Sequence, residues 1–372
     1  MKFFLMLLLT LYASVCAASV PFVSDIQKYY QTLSPTEQLA LTHGKQDQLT
    51  DPQPKTKGNL LCVTFTRPSR VTATIIQNNI QAMHTQCDWA IIFHNGTETE
   101  INRVCDLYNS TYSNVIHCAR SPSTLPSRYI QHPKTNASIA LSTPKSVLYH
   151  DLLVYLPSYK KVFTLDDDIS LADFDYAELE CLWHHTFHPP PLVVQPLVQA
   201  RSPQYLTYVN HANWQKGDRS DVYASGVGLV EQQVPIFDAS FFLWYVRRVL
   251  MHTLPYSIQY GADWGHDRTW CRAARAYSLY VLNIPPSPSH VVCALLTKAS
   301  PVFHLNLRNM RNKRLYRDVF RSNANQVLNK YIQFFPNWVS IEAIRPNNPL
   351  DISNRHLYPF VYNNTKVNRC ME

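Results

Sequence analysis

Three consecutive aspartates, Asp166, Asp167 and Asp168, are the residues in this sequence best suited to chemistry, and they follow an apolar, strand-favouring run at 162–165. Adjacent carboxylates repel one another, so solvent or a bound cation must compensate their charge. If the run is a parallel strand, Asp166 and Asp168 project together at the edge where α/β folds bind ligands. Carboxylate oxygens suit Mg²⁺ or Mn²⁺. We therefore predict that Asp166 and Asp168 ligate a divalent metal; the alternative is a solvated acidic turn that ends a strand.

The composition describes a globular chain that favours an anionic ligand. It has 372 residues, of which 46% are hydrophobic and 16% are charged, with a formal net charge of +8. This length is enough for a sizeable core in one large or two small domains, and the composition excludes a disordered chain. A mild basic excess without a long basic run suits a nucleoside diphosphate rather than nucleic acid. We therefore expect no nucleic-acid partner.

The N-terminus has the pattern of a targeting segment. Lys2 precedes an apolar run at 3–12, and small residues follow up to Ala17 and Ala18. This arrangement predicts a signal peptide at 1–18, with an uncleaved signal anchor as the alternative and the only expected membrane attachment. No other segment of the sequence approaches the roughly 20 apolar residues that a membrane span needs. The expected location is the lumen of the secretory pathway, in the ER or Golgi, or outside the cell.

Two further patterns agree with this location. An even number of cysteines remains after the signal peptide is removed, which predicts disulfides in an oxidising lumen without fixing their pairing. Four N-x-[ST] sequons predict a glycoprotein. The cysteines are Cys62, Cys87, Cys105, Cys118, Cys181, Cys271, Cys293 and Cys370, and the sequons begin at Asn95, Asn109, Asn136 and Asn363.

Composition along the chain suggests three segments behind the signal peptide. Residues 19–57 are polar and end in a proline-rich stretch, which is typical of a stem or N-terminal wrap. Residues 58–310 carry the apolar strand and helix patterns and are predicted to form a single domain. Residues 311–372 begin with a basic helical pattern and are predicted to form a C-terminal extension.

Buried apolar strands alternate with helical patterns in the first half. This alternation predicts an α/β fold with a Rossmann-like, mostly parallel central sheet flanked by helices. Thr143-Pro144 provides favoured N-cap and N1 residues for a helix that should run to about Leu156. The strands are expected at 60–65, 89–93, 115–118 and 162–165, with a helix whose apolar face includes Ile76, Ile80 and Met83.

The second half is less regular. Three histidines, His184, His185 and His188, could suggest a metal site, but the proline run at 189–191 favours a surface loop. Strands are expected at 192–196 and 227–234 and a short one at 301–304; a helix is expected from Asp238 to about His252, and a turn at 261–267 should open another.

Four blocks, in this order, resemble the nucleotide-diphospho-sugar transferases of the GT-A fold. More narrowly, they resemble a plant and microbial group that carries a domain of unknown function. The blocks are 59–63 with 89–94; 159–169 with its D-x-D; 225–226 with 230–231 and 235–237; and the W-G-x-D turn at 264–267 with the closing V-x-H at 302–304. Together they span residues 59 to about 310, with an acceptor-side half at the C-terminal end. The resemblance implies a glycosyltransferase that uses a nucleoside-diphosphate sugar.

The resemblance also assigns roles to particular residues. Asp166 and Asp168 match the metal-binding D-x-D positions, and His304 matches a late third ligand, which favours Mn²⁺ slightly over Mg²⁺. Asp167, the middle residue, is expected to face the sugar or the ribose. Without the resemblance, His304 is better read as a buried core histidine.

Inverting transfer to an acceptor hydroxyl requires a general base. The resemblance places Asp267 at the base position, and its alternative is a first-turn acid that interacts with the helix dipole. Asp263 is a competing base, because this sequence has an additional carboxylate there and His266 where the family motif has an apolar residue. The sequence therefore leaves open which aspartate is the base.

Three further residues are candidates for contacts with the donor. Arg67 follows the first strand and could touch the nucleotide, and Lys145 could contact phosphate. Gly226 is one of only eight glycines and is expected to allow close approach of the backbone. Arg67 and Lys145 could equally be ordinary surface residues.

Two other functions remain open at the level of sequence. The 22 tyrosines and 7 tryptophans would also suit a non-catalytic secreted carbohydrate-binding protein on the same fold, because aromatic rings stack on sugars as well as filling cores. The stretch 224–228 superficially resembles a hydrolase nucleophile turn but lacks G-x-S-x-G spacing. The acceptor, whether glycan, protein or lipid, is not indicated.

Overall fold

The computed structural model describes residues 59–125, 128–131, 136, 138–141, 143–200, 222–250, 254, 257–258, 266–284, 290–296, 301–305 and 360–362. The predicted signal peptide and stem lie outside the described residues, as does most of the predicted C-terminal extension. The domain boundaries therefore stay predictions.

The first described segment alternates strands and helices, as the sequence predicted. Its elements are β1 (Leu60–Thr66), α1 (Arg70–Ala82), β2 (Asp88–Phe93), α2 (Glu98–Thr111) and β3 (Val115–Arg120).

Local capping fixes where the two helices begin. The Ser69 hydroxyl accepts a hydrogen bond from Thr72 N at the start of α1. At the start of α2, Thr97 and Glu100 satisfy each other's backbone N–H in a capping box. Both helices therefore start within a few residues of the preceding strand, which keeps the β-α-β connections short.

The segment before the acidic strand differs from its prediction. A hairpin of β4 (Arg128–Gln131) and β5 (Ser138–Leu141) precedes α3 (Lys145–Leu148), two 3₁₀ turns at 149–152 and 156–158, and β6 (Lys161–Asp166).

The long helix expected from Thr143 to about Leu156 is therefore wrong beyond its first turn. Pro144 occupies the N-cap and makes no side-chain capping bond. The Thr143 hydroxyl instead accepts a hydrogen bond from Leu125 N. The helix therefore starts without a side-chain cap, which is less stable than a capped start, and after one turn the backbone continues as 3₁₀ turns instead of one long α-helix.

After the aspartates come β7 (Ile169–Ser170), α4 (Tyr176–Thr186), β8 (Val193–Pro196) and β9 (Val198–Ala200). The surface loop expected around the histidines is only partly correct. His184 and His185 are exposed, but they form the last turn of α4. Within the described residues, neither belongs to a group of close metal-ligand atoms.

The next elements are β10 (Val222–Gly226), β11 (Ile236–Asp238), α5 (Ala239–Arg248) and α6 (Asp267–Tyr280). The strand expected at 227–234 is wrong, because this apolar run is a buried turn between β10 and β11. Periodicity cannot distinguish a buried apolar turn from a buried strand. The predicted start of the following helix at Asp238 is confirmed, since its carboxylate accepts from Phe241 N.

The described strands form one large sheet and two small ones. The last strands are β12 (Cys293–Leu296), β13 (Val302–His304) and β14 (Phe360–Tyr362). The large sheet has the order β14-β10-β12-β8-β11-β6-β1-β2-β3, and β7-β13-β9 forms a second sheet. Only β10 and β11 run against the other strands of the large sheet. The prediction of an α/β fold with a mostly parallel central sheet is confirmed.

Helices cover both faces of this sheet, and each face has its own apolar core. Residues of α1, α2 and α4 pack in one core, and residues of α3, α5 and α6 pack in the other. Within the described residues, no helix is both long and apolar enough to cross a membrane.

The cysteines follow their prediction in part. Disulfides join Cys105 to Cys118 and Cys271 to Cys293, and Cys181 is also disulfide-bonded. Cys62 and Cys87 are free and buried, so the expectation that they form disulfides is wrong for this structure. Both pack in the apolar core between the sheet and α1, where a thiol behaves as a small hydrophobic group.

Candidate functional site

The acidic residues lie where the strand order of the sheet reverses. From β1 the chain adds β2 and then β3 on one side, whereas β6 pairs with β1 on the other side. Parallel α/β sheets bind ligands outside the carboxyl ends of the strands at such a reversal. Asp166 is the last residue of β6 and is paired with Phe65 near the end of β1. Its position is thus set by the topology of the sheet.

Backbone pairing brings His304 to the same place. Asp168 lies directly before β7, and Ile169 of β7 is the register partner of His304 on β13. The Leu305 N–H also donates to the Asp168 carbonyl at 2.9 Å. As a result, His304 Nε2 lies 3.5 Å from Asp168 Oδ1. Residues 136 positions apart in sequence are therefore held together by a short antiparallel ladder.

Asp166, Asp168 and His304 form a group of potential metal ligands. One ligand atom from each residue lies within 4.8 Å of the ligand atoms of the other two. Among the described residues, these are the three acidic, histidine or cysteine side chains that lie close enough together to hold a metal ion. The side chains of Asp168 and His304 are 8% and 14% exposed, and that of Asp166 is 27% exposed. The group is therefore accessible to solvent at Asp166 and mostly covered by protein at Asp168 and His304.

The donor set fits a divalent cation of the Mn²⁺ or Mg²⁺ type. Neighbouring ligands of an octahedral ion with bonds near 2.1 Å lie about 3 Å apart, and the 3.5 Å between Asp168 Oδ1 and His304 Nε2 is close to that spacing. Two carboxylates and one imidazole suit Mn²⁺ better than Mg²⁺, which prefers oxygen ligands. Three protein ligands leave positions for oxygens of water or substrate.

Lys145 compensates part of the charge of this group. Its ammonium forms an ion pair with the Asp166 carboxylate and donates to the Gln232 carbonyl at 3.3 Å. The sequence made Lys145 a candidate for contact with phosphate, with an ordinary surface residue as the alternative; the structure places its ammonium beside the predicted metal ligand Asp166. A bound metal ion and the Lys145 ammonium would therefore compete for the Asp166 carboxylate.

Asp167 does not belong to this ligand group, and its carboxylate has a different partner. Its side chain is buried, and the Thr66 hydroxyl at the end of β1 donates to Asp167 Oδ2 at 3.2 Å. This bond joins the two strands on either side of the order reversal. Arg67 follows Thr66 and is exposed, so it lies at the same edge of the sheet.

Gly226 does not lie with the other candidates. It is the last residue of β10, which runs antiparallel to β12, and it pairs with Ala294. Four strand spacings separate β10 from β6, or about 19 Å at 4.8 Å per strand. The antiparallel direction of β10, which the sequence did not indicate, removes Gly226 from the carboxyl edge.

Asp267 occupies the first position of α6 and is partly buried. Within the described residues, it is outside the group of close ligand atoms. Asp263, the competing base, lies outside the described residues. The structure thus confirms a helix start at Asp267 and leaves the assignment of the base as a prediction.

His266, which departs from the family motif, is a buried structural residue. Its Nε2 lies 2.8 Å from the Ser257 hydroxyl, and its Nδ1 lies 3.4 Å from the Tyr245 hydroxyl. Complete burial lowers the pKa of His266 to about 3. The imidazole is therefore neutral at physiological pH and suits packing better than proton transfer.

Sequence reasoning missed two residues that support the site, Thr66 and Asn79. The Asn79 side chain is buried and bonds to the Ile169 carbonyl in β7 and to the N–H of Leu171, the residue directly after β7. A signal was present in the sequence, because Asn79 lies between Ile76 and Ile80 on the apolar face of a predicted helix. A polar residue on such a face must find a partner in the interior.

The chain matches no protein-family model. No curated protein is similar to it. Among solved structures, it is similar to the mannosyltransferase PcManGT from Pyrobaculum calidifontis in complex with GDP-Man and Mn²⁺, with 10% sequence identity and a TM-score of 0.31. The similarity covers 88% of this chain and 87% of that chain. A similarity this distant does not assign a role to any residue of the site.

Replacing Lys145 with methionine should raise the affinity for Mn²⁺. The substitution removes a competing ammonium and leaves the Asp166 carboxylate available to the ion. Because the ion pair is partly exposed, we expect an increase of about threefold to fivefold. Titration of the metal-free protein with Mn²⁺, followed by electron paramagnetic resonance, measures it. Lys160→Met, which removes an exposed positive charge elsewhere, should change the affinity less. Equal or weaker binding by Lys145→Met would show that the ammonium does not compete.

His266 should make the protein less stable as the pH falls. Its folded-state pKa is depressed, so between about pH 6.5 and 3 the unfolded chain binds the additional proton. This group therefore costs about 2 kcal/mol of unfolding free energy between pH 6.5 and 5. His266→Gln, which keeps a hydrogen-bonding group for Ser257, should lose correspondingly less stability over that range in urea unfolding. Parallel pH profiles for the two proteins would contradict the burial of a neutral imidazole.

Proposed function

We propose that this chain is a metal-dependent glycosyltransferase that moves a sugar from a nucleoside-diphosphate sugar to an acceptor hydroxyl. The observation that carries the proposal is the group of Asp166, Asp168 and His304 at the strand-order reversal of a mostly parallel sheet. That edge is where such sheets bind nucleotides. The net positive charge of the chain agrees with an anionic donor.

The proposed chemistry depends on stabilising a diphosphate leaving group. A divalent ion held by Asp166, Asp168 and His304 would offset the negative charge that develops on the β-phosphate. Lys145 is close enough to Asp166 to add a second positive charge at the same place. Together they would make departure of the nucleoside diphosphate easier.

The remaining residues would hold the two substrates. Asp167 is fixed by Thr66 at the β1–β6 boundary, where a ribose or donor sugar would lie. Arg67, exposed at the same edge, can reach the nucleotide. For an inverting reaction we assign Asp267 as the base that takes the acceptor proton, with Asp263 as the competing candidate. The proposed location is the secretory lumen or the cell exterior, in keeping with the predicted signal peptide.

The structure gives less support to the other two functions. A non-catalytic carbohydrate-binding protein would be favoured if His304 were sealed in the core, but its side chain is 14% exposed and lies beside Asp168. A serine hydrolase would need an accessible nucleophile. Ser225 is fully buried, and its hydroxyl donates to the Gly226 carbonyl at 3.0 Å.

Binding of nucleoside diphosphates should depend on a divalent metal and on Asp168. We expect isothermal titration to show binding of UDP or GDP in the presence of Mn²⁺ and little binding without it. Asp168→Asn removes one ligand charge and should weaken the metal-dependent binding at least tenfold, because an amide is a poorer ligand than a carboxylate.

Asp173→Asn provides the matched control. It makes the same change of charge at an exposed position five residues away and should bind as the wild type does. Binding that is independent of metal, or no binding of either nucleotide by folded protein, would contradict the proposed function. Turnover assays with a panel of sugar nucleotides and acceptors would then identify the sugar that is transferred.

A further inference from the structure

β7 is too short to hold its position by strand pairing alone. It contains two residues, and only Ile169 and Ser170 pair with β13. Yet β7 directly follows Asp168 and is the register partner of His304. A slip or fraying of this two-residue ladder would separate the aspartates from the histidine, so something else must fix β7.

The opposite side of β7 is fixed by a side chain. Asn79, on α1, donates from Nδ2 to the Ile169 carbonyl at 2.8 Å. Its Oδ1 accepts from Leu171 N at 2.8 Å. One amide thus makes the two hydrogen bonds that a neighbouring strand would make, and it satisfies backbone groups that are otherwise buried.

We infer that Asn79 is a positioning residue for the metal-ligand group. It has no contact with Asp166, Asp168 or His304 among the hydrogen bonds and ion pairs of the described residues. It acts by holding β7 against β13, so that Asp168 Oδ1 and His304 Nε2 remain 3.5 Å apart. The part of this inference that concerns the ion rests on the proposed function, whereas the coupling between α1 and β13 does not.

Burial makes this contact consequential. Asn79 is 3% exposed and lies among apolar residues of α1 and β7 that include Ile76, Ile80 and Ile169. If the amide is removed, the Ile169 carbonyl and the Leu171 N–H lose their partners in a place that water reaches poorly. Unpaired buried backbone groups are costly, so β7 is expected to shift rather than stay in place.

Asn79→Leu tests the inference by removing both hydrogen bonds at nearly constant volume. Asn114→Leu is a matched control, because Asn114 is also 3% exposed and donates from its side chain to a backbone carbonyl, that of Cys87, at 3.1 Å. Asn114 lies before β3, at the amino ends of the parallel strands, whereas the site lies at their carboxyl ends. Thermal unfolding of both metal-free variants shows how much general stability each has lost.

The first readout is hydrogen–deuterium exchange of the full-length chain without metal. We expect Asn79→Leu to accelerate exchange in peptides that contain β7 and also in those that contain Val302–Leu305, which Asn79 does not bond. Asn114→Leu should leave the Val302–Leu305 peptides as in the wild type. If Asn79→Leu affects β7 but not Val302–Leu305, the proposed coupling is overturned, whether or not the protein binds a metal.

The second readout is Mn²⁺ affinity, measured by titration with electron paramagnetic resonance. We expect Asn79→Leu to weaken Mn²⁺ binding at least tenfold and Asn114→Leu to change it less than twofold. Wild-type affinity in folded Asn79→Leu would overturn the positioning role. A wild-type protein that binds no Mn²⁺ would instead overturn the proposed metal site and leave the exchange result to decide the coupling.

Asn79→Asp serves if the leucine variant does not fold. In its ionised form it keeps an acceptor for Leu171 N but cannot donate to the Ile169 carbonyl, so the measurement is made at a pH where the carboxyl is ionised. The added negative charge would by itself strengthen cation binding. A tenfold loss of Mn²⁺ affinity in this variant would therefore support misplacement of the ligands, and unchanged or tighter binding would count against it.

Discussion

Repulsion among three adjacent carboxylates is the constraint on which the rest of this site depends. The structure meets it differently for each residue: Asp166 pairs with Lys145, Asp167 accepts a hydrogen bond from Thr66, and Asp168 lies beside His304. Each partner comes from a different part of the chain. The charges are thus compensated only when the sheet, the short β7–β13 ladder and the segment around α3 are all in place, which links folding to the formation of the site.

The topology of the sheet explains why the acidic turn lies at a binding edge. The strands β3, β2, β1 and β6 are consecutive in the sheet and all parallel, so their carboxyl ends meet at one edge. The helices after β1 and β2 cover one face, and the segment before β6 covers the other, so the chain leaves the sheet toward opposite faces on the two sides of the β1–β6 pair. Asp166 is the last residue of β6, and Thr66 is the last residue of β1.

The sequence predicted the buried parallel strands of the first half well and the irregular segments poorly. The buried runs of β1, β2 and β6 are apolar on both faces, which is typical of strands in a parallel sheet that helices cover on both sides. The strand predicted at 227–234 was wrong because apolar content alone does not show whether a segment pairs with a neighbouring strand. The long helix predicted from Thr143 was wrong because a favoured pair of N-terminal residues does not show whether the backbone continues as α-helix. The proximity of His304 to Asp168 could be proposed only from a family resemblance, since it depends on a two-residue ladder between distant segments. The position of Gly226 away from the other candidates could not be predicted for a similar reason, because strand direction is a property of the whole sheet.

A crystal soaked in Mn²⁺ and measured at the manganese absorption edge would show whether Asp166, Asp168 and His304 bind a metal ion together. We expect an anomalous peak about 2.2 Å from carboxylate oxygens of Asp166 and Asp168 and from a ring nitrogen of His304, with the Lys145 ammonium moved off Asp166. An ordered site without an anomalous peak at saturating Mn²⁺, with Lys145 still paired to Asp166, would contradict this expectation and identify the acidic triplet as a structural turn.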